Sequence, residues 1–277
     1  IMKSAITICL VAEARQGPFV FHHEPTLAGL AAGCRRAAEL GFDAVEIFPP
    51  GPDDLDWPAV GRLLAEHSLA LAAVGTGAGW VKHGLQLCHA DADIRRRARE
   101  FIAGLVDAAG GLGAPAIIGS MQGRSDAQVP RDTALDLLGT ALAELGGRAA
   151  RHGQPLLYEP LNRYETNLFN RQAEAAAFLD SCGAADVRLL CDLFHMNIEE
   201  ADLAAALVAC GGRVGHIHWA DSNRRAIGLG HTDPPPVIAA LRAIGYTGYL
   251  SAEVFPLPDD DQAARQSLAS FRAATRT

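Results

Sequence analysis

The chain has 277 residues, of which 49% are hydrophobic and 20% charged. That is enough apolar material for a large buried core and too much for a disordered chain. Lys and Arg total 24 against 32 Asp and Glu, a formal net charge of −8, which argues against the basic face that nucleic acid or an anionic membrane surface requires.

Six cysteines (Cys9, Cys34, Cys88, Cys182, Cys191, Cys210) are widely spread and form no C-x-x-C pair. They are read as reduced core thiols of a cytoplasmic protein. The opening segment lacks a small-residue cleavage site, and nothing later supplies an unbroken apolar run of about 18 residues. No export signal and no membrane span are therefore expected. Ile1, ahead of Met2, is read as a remnant, which puts the domain at residues 2–277.

Short apolar, β-branched runs alternate with longer Ala/Leu-rich segments of helical period, the rhythm of βα units. Strands are predicted at Ala5–Leu10, Ala44–Ile47, Leu69–Val74, Ala116–Gly119, Leu156–Glu159, Arg188–Asp192, Gly215–His218 and Tyr249–Glu253. Helices between them include Ile94–Ala109 and Thr133–Ala150, and the last helix spans about Gln262–Ala274. Eight units of about 35 residues each suit a single-domain (β/α)8 barrel, and no linker breaks the chain. A doubly wound sheet with a dinucleotide site would need a glycine fingerprint after an early strand. Gly75-Thr76-Gly77-Ala78-Gly79 follows the third strand, but no acid ends the next one.

In such barrels the active site lies at the C-terminal ends of the strands, so the polar residues that finish apolar runs are informative. Four consecutive units end in Glu159, Asp192, His218 and Glu253, at intervals of 33, 26 and 35 residues. The four side chains come round one rim and converge. Three carboxylates and an imidazole in a partly buried site repel one another unless a divalent cation holds them. The oxygen-rich set suits Mn2+ first, with Mg2+, Co2+ or Zn2+ as other candidates. Glu165, His195 and Arg224 follow these residues at short spacing, in loops over the metal where sugar hydroxyls need donors and acceptors.

With these motifs the sequence resembles the xylose isomerase-like TIM barrels, and within them the ketose 3-epimerases typified by tagatose and psicose 3-epimerase. It is most similar to the keto-sugar-acid epimerases sharing Glu159-Pro-Leu-Asn-Arg-Tyr-Glu-Thr, Phe194-His-Met-Asn-Ile-Glu-Glu200 and Ala220-Asp-Ser-Asn-Arg224. The match runs from Glu159 to Glu253, with an echo at Gly75-Thr-Gly77 and His89. The resemblance implies that Glu159, Asp192, His218 and Glu253 bind the metal and that Glu159 and Glu253 double as the acid/base pair. It implies that His195, Arg224 and Glu165 hold substrate, and that the activity is inversion of C3 in a ketose or keto-sugar acid through a cis-enediolate. A homodimer or homotetramer working in carbohydrate metabolism is the assembly and setting it implies. Two rivals share the metal: an aldose–ketose isomerase of the hydroxypyruvate or ketopentose type, and a keto-polyol dehydratase. A metal-free sugar-binding protein and a DNA-repair endonuclease are the readings from other classes, and the net charge speaks against the second.

Phe255, two residues past the last glutamate, matches the family pattern as a pocket aromatic, though packing alone would account for it. Trp80, in the loop after the third strand, covers either the sugar or a loop. Glu46 ends the second strand towards the mouth and is read as an ion-pair partner ahead of a substrate contact. His216 lies one layer below His218 by strand alternation and reads as a satisfied core histidine. His231 is a lid or turn residue, His22 and His23 carry no assignment, and Arg95 to Arg97 read as a solvated helix face. Leu193, Ile227 and Leu229 depart from the family pattern, which leaves the identity of the sugar open.

Overall fold

Strand β1 (Lys3–Cys9) pairs in parallel with β3 (Ala44–Phe48) on one side and with β9 (Tyr249–Ala252) on the other, so the sheet closes on itself. Around the ring stand β4 (Ala70–Gly75), β5 (Ala116–Ile118), β6 (Leu156–Tyr158), β7 (Val187–Asp192) and β8 (Val214–His218), each parallel to its neighbour in chain order. This is the expected (β/α)8 TIM barrel. The computed structural model describes residues 1–276, so Thr277, the end of the expected 2–277 domain, lies outside the described residues.

The outer layer is α1 (Leu27–Leu40), α2 (Trp57–Glu66), α4 (Ala92–Gly111), α5 (Arg131–Ala150), α6 (Gln172–Ser181), α8 (Leu203–Cys210), α9 (Pro234–Ala243) and α10 (Asp260–Thr275). Local sequence sets their limits. Thr26 caps α1 by accepting from the Gly29 N–H at 3.1 Å, and Gly41 ends that helix at φ 91°, which suits a residue without Cβ. Along α4 the buried residues Ala98, Ile102, Leu105 and Ala109 recur every three or four positions, so one stripe faces the sheet.

Three features differ from the expected elements. A two-residue strand β2 (Phe21–His22) pairs with β1 at Ile8 and Cys9. Two short helices, α3 (Ala78–His83) and α7 (Leu193–Glu199), occupy stretches read as loops, so Trp80 and His195 stand on helices. Glu159 and Glu253 each lie one residue past their strand, because the ladders end at Tyr158 and Ala252 where the chain turns into the mouth loops.

Alternation sorts the inward-facing side chains into layers. Ala5, Ala44 and Ala72 form one small apolar cluster, and Ala73, Ile117, Leu157 and Leu190 form another that fills part of the lumen. Glu46 and His216, both fully buried, are register partners of Ala73 and Leu190 in that second cluster. The lumen is filled by side chains, and the residues that end the strands stand at its C-terminal rim.

Candidate active site

Asp192 and His218 end adjacent strands and are direct register partners. Asp192 Oδ1 caps α7 by accepting from the Phe194 N–H at 2.7 Å, which leaves Oδ2 to face the mouth. Glu159 is held by its backbone: its N–H donates to Ile118 O at 2.9 Å, and its carbonyl accepts from Gln122 Nε2 at 2.9 Å. Gln122 in turn accepts from the buried Tyr158 hydroxyl at 2.7 Å. Gly119 has no room for a side chain, since a Cβ there would stand 2.5 Å from Glu159 Oε2.

The four expected ligands come together. One donor atom from each of Glu159, Asp192, His218 and Glu253 lies within 4.8 Å of the others. His218 Nδ1 is 3.6 Å from Glu159 Oε1, 3.5 Å from Asp192 Oδ2 and 3.5 Å from Glu253 Oε2. Two ligands about 2.1 Å from one ion stand about 3.0 to 3.4 Å apart for octahedral or tetrahedral angles. Glu159 Oε1, Asp192 Oδ2 and His218 Nδ1 are buried with no hydrogen-bond partner among the described residues. Such orphaned atoms cost about 1–3 kcal/mol each unless something accepts their lone pairs. Donor set, spacing and orphaned atoms all fit a divalent cation.

The electrostatics point the same way. Burial pushes the Glu159 carboxyl up, and Glu253 beside it adds to the rise against the pull of His218. Burial also opposes ionisation of Asp192, yet His195, His218 and Arg224 outweigh it and hold that carboxyl down at about 2. The His218 imidazole, which burial alone would depress, is held well above its ordinary value by Glu253, Glu46, Asp192 and Glu159.

Beside the four ligands lies a cavity of about 330 Å³ whose wall includes Glu159, Glu165, His195, Arg224 and Glu253. Its volume suits a small ligand. His195 Nδ1 accepts from the Asn162 N–H at 3.2 Å, so Nε2 carries the proton, and this nitrogen is buried with no hydrogen-bond partner among the described residues, 3.8 Å from Glu159 Oε1. Arg224 donates to Glu253 Oε2 at 2.8 Å and lies 4.8 Å over the Phe194 ring. Its backbone is in the left-handed region, at φ 58°, which is uncommon for a non-glycine residue and characteristic of functional sites. Glu165 Oε1 accepts from Asn162 Nδ2 at 3.0 Å and lies 3.7 Å from Arg224.

The remaining expected residues fall on either side of the cavity wall. Trp80 lines the cavity and is 42% exposed. Phe255 is not in the wall, and its N–H instead donates to Arg224 O at 2.8 Å. Glu46 lies below the mouth, hydrogen-bonded to His216 and His218, so it is an ion-pair partner and not a substrate contact. His231 is exposed, His89 caps a local turn through Asp91, and Arg96 pairs with Asp93 and Glu100 on the surface of α4. Val11, Phe19, Phe48 and Leu161 supply the apolar wall and were not expected, because nothing in a short apolar run marks a pocket residue. Asn162, which orients His195, stood inside a quoted motif without a role.

Residues 34–274 match the protein family described as xylose isomerase-like TIM barrel. The chain is 30% identical over 258 residues to an L-ribulose 3-epimerase of Mesorhizobium japonicum, across 92% of this chain and 85% of that one. It is 39% identical over 125 residues to a 3-dehydro-D-guloside 4-epimerase of Escherichia coli, which is 45% of this chain and 48% of that one. The structure of a D-allulose 3-epimerase from Methylomonas sp. superposes with a TM-score of 0.82 at 24% identity, over 99% of this chain and 97% of that one, a likeness of fold. These relatives are epimerases, a subclass of isomerases. No described helix is long and apolar enough to cross a membrane.

Proposed function

The chain belongs to the xylose isomerase-like TIM-barrel family, and from that membership and its site we propose a divalent-metal-dependent epimerase that inverts C3 of a ketose or keto-sugar acid. The observation that carries the reading is the convergence of three orphaned donor atoms, from Glu159, Asp192 and His218, beside a sugar-sized cavity walled by Glu159, Glu253, His195 and Arg224. Glu159, Asp192, His218 and Glu253 would hold the cation, Mn2+ before Mg2+, Co2+ or Zn2+, whose Lewis acidity stabilises negative charge on substrate oxygens.

The rest of the chemistry falls to side chains. One of Glu159 and Glu253 takes the C3 proton, which is acidic because it lies α to the C2 carbonyl. The C3–H electron pair then delocalises onto the carbonyl oxygen as the cis-enediolate. The other glutamate returns a proton to C3 on the opposite face, and the two exchange roles in the reverse direction. The His195 Nε2–H, orphaned and facing the cavity, donates to a substrate oxygen, and the Arg224 guanidinium adds positive charge where the oxyanion develops. Six unpaired cysteines suit a reducing, cytoplasmic setting. The similarity to the E. coli enzyme supports a second reading, in which the same proton transfer occurs at C4 of a 3-keto glycoside.

Glu159→Gln and Glu253→Gln test the assignment. Each should cut turnover of the active ketose by about 10³-fold or more while circular dichroism stays unchanged, the loss expected for a removed acid or base. Most activity surviving in both variants would overturn it.

A further inference from the structure

Glu46 lies on β3 and His216 and His218 on β8, strands that β1 and β9 separate in the sheet, so their contact crosses the lumen. Glu46 Oε2 is 2.7 Å from His216 Nε2, and Glu46 Oε1 is 3.0 Å from His218 Nε2. All three residues are at most 1% exposed. The β3–β4 ladder skips Ala72 of β4 beside Glu46, and the β7–β8 ladder skips Gly215 of β8, the strand that carries both histidines. Such bulges re-aim side chains.

An ionised carboxylate only accepts, so each histidine donates from Nε2, and the Nδ1 edge of His218 is the one turned to Glu159, Asp192 and Glu253. We propose that Glu46, clamped from below by His216, is a positioning residue that fixes the ring plane and tautomer of His218 so that Nδ1 ligates the metal. The role needs both carboxylate oxygens: one orients His218, and the other is pinned by His216 so that the carboxylate cannot turn away. The trio is not a second metal site, because its separations are hydrogen-bond lengths and His218 turns its opposite ring edge to the carboxylates. A carboxylate behind a ligating histidine raises its basicity and sets its orientation, and losing one typically costs about 10 to 100-fold in metal affinity.

The proposal rests on the metal reading of the site, and metal binding tests it apart from catalysis. Chelator-stripped protein is titrated with Mn2+ while free Mn2+ is followed by electron paramagnetic resonance. The parent should bind one ion per chain, Glu46→Gln should bind about 10 to 100-fold more weakly, and His216→Asn should lose affinity by a smaller factor. The metal-free variants should melt close to the parent. At saturating Mn2+ the Glu46→Gln kcat should return most of the way, because Glu46 touches no substrate. Should Glu46→Gln not fold, His216→Asn carries the test alone, since it leaves Glu46 on His218 but frees its second oxygen. Folded variants with parental Mn2+ affinity would overturn the proposal while the metal reading stands. A parent that binds no Mn2+ would overturn both.

Discussion

Replacing Asp221 by asparagine swaps one carboxylate oxygen for an amide that donates where backbone N–H groups also donate. Asp221 is fully buried and organises the loop that carries Arg224. Its Oδ2 accepts from the N–H groups of Gly228, Leu229 and Gly230 at 2.7 to 3.1 Å, and its Oδ1 from those of Ser222 and Thr232 at 2.7 and 2.9 Å. The amide nitrogen takes the cheaper position, at Oδ1, where two backbone N–H groups then lose their acceptor. At about 1–3 kcal/mol for each orphaned donor the cost is about 2–6 kcal/mol. Guanidinium unfolding should show this loss, amide exchange at 228–230 should quicken, and kcat/KM should fall as Arg224 leaves its left-handed backbone position. Acid should erase the difference. Burial pushes the Asp221 carboxyl up, but the N–H groups of Thr232, Ser222, Gly230 and Gly228 outweigh it and hold it below the usual range. Its stabilisation is therefore present above the unfolded pKa of about 3.9 and is lost as pH falls through the lower folded value. A variant within about 0.5 kcal/mol of the parent at pH 7, the scatter of a neutral surface change, would refute the reasoning.

Gly119→Ala should push the end of the Glu159 side chain out of place, because a Cβ there would stand 2.5 Å from Glu159 Oε2. The displaced carboxylate should lower kcat/KM by about 10²-fold, the scale of a 1 Å misplacement at a reacting centre. Burial pushes the Cys34 and Cys88 thiols up to about 12 and those of Cys9 and Cys210 up to about 11. An aromatic disulfide reagent at pH 8 should therefore modify only half-buried Cys182 in the native protein and all six cysteines after denaturation. The same thiols stabilise the fold while protonated, fully below about pH 8.5 and progressively less as pH rises towards 12. Denaturation midpoints across pH 7 to 11 check that direction.

The barrel was legible because parallel strands buried on both faces read as short apolar runs, and a charged residue at the end of such a run stands out. Glu159, Asp192, His218 and Glu253 were found by that signal alone, since one βα unit per interval brings them to one rim. Glu46 and His216 carried no such signal. They meet across the lumen from positions 170 apart in the chain, which no local pattern encodes. Helix α7 was hidden for a related reason. Asp192 reads as a strand terminus, yet its Oδ1 also caps the next helix, so strand and helix meet with no turn residues between them. The apolar cavity wall of Val11, Phe19 and Phe48 depends on where the β1 loop and the end of β3 approach, which tertiary packing alone decides.

The most direct measurement is deuterium exchange. Protein loaded with Mn2+ is incubated in D2O with a panel of ketoses, keto-sugar acids and a 3-keto glycoside, the metal is then removed, and proton NMR follows each carbon-bound hydrogen. Epimerisation through Glu159 and Glu253 predicts loss of the C3 proton signal of one ketose together with growth of its C3 epimer. Exchange at C1 with an aldose product, or turnover of a ketose with C3 keeping its hydrogen, would contradict it.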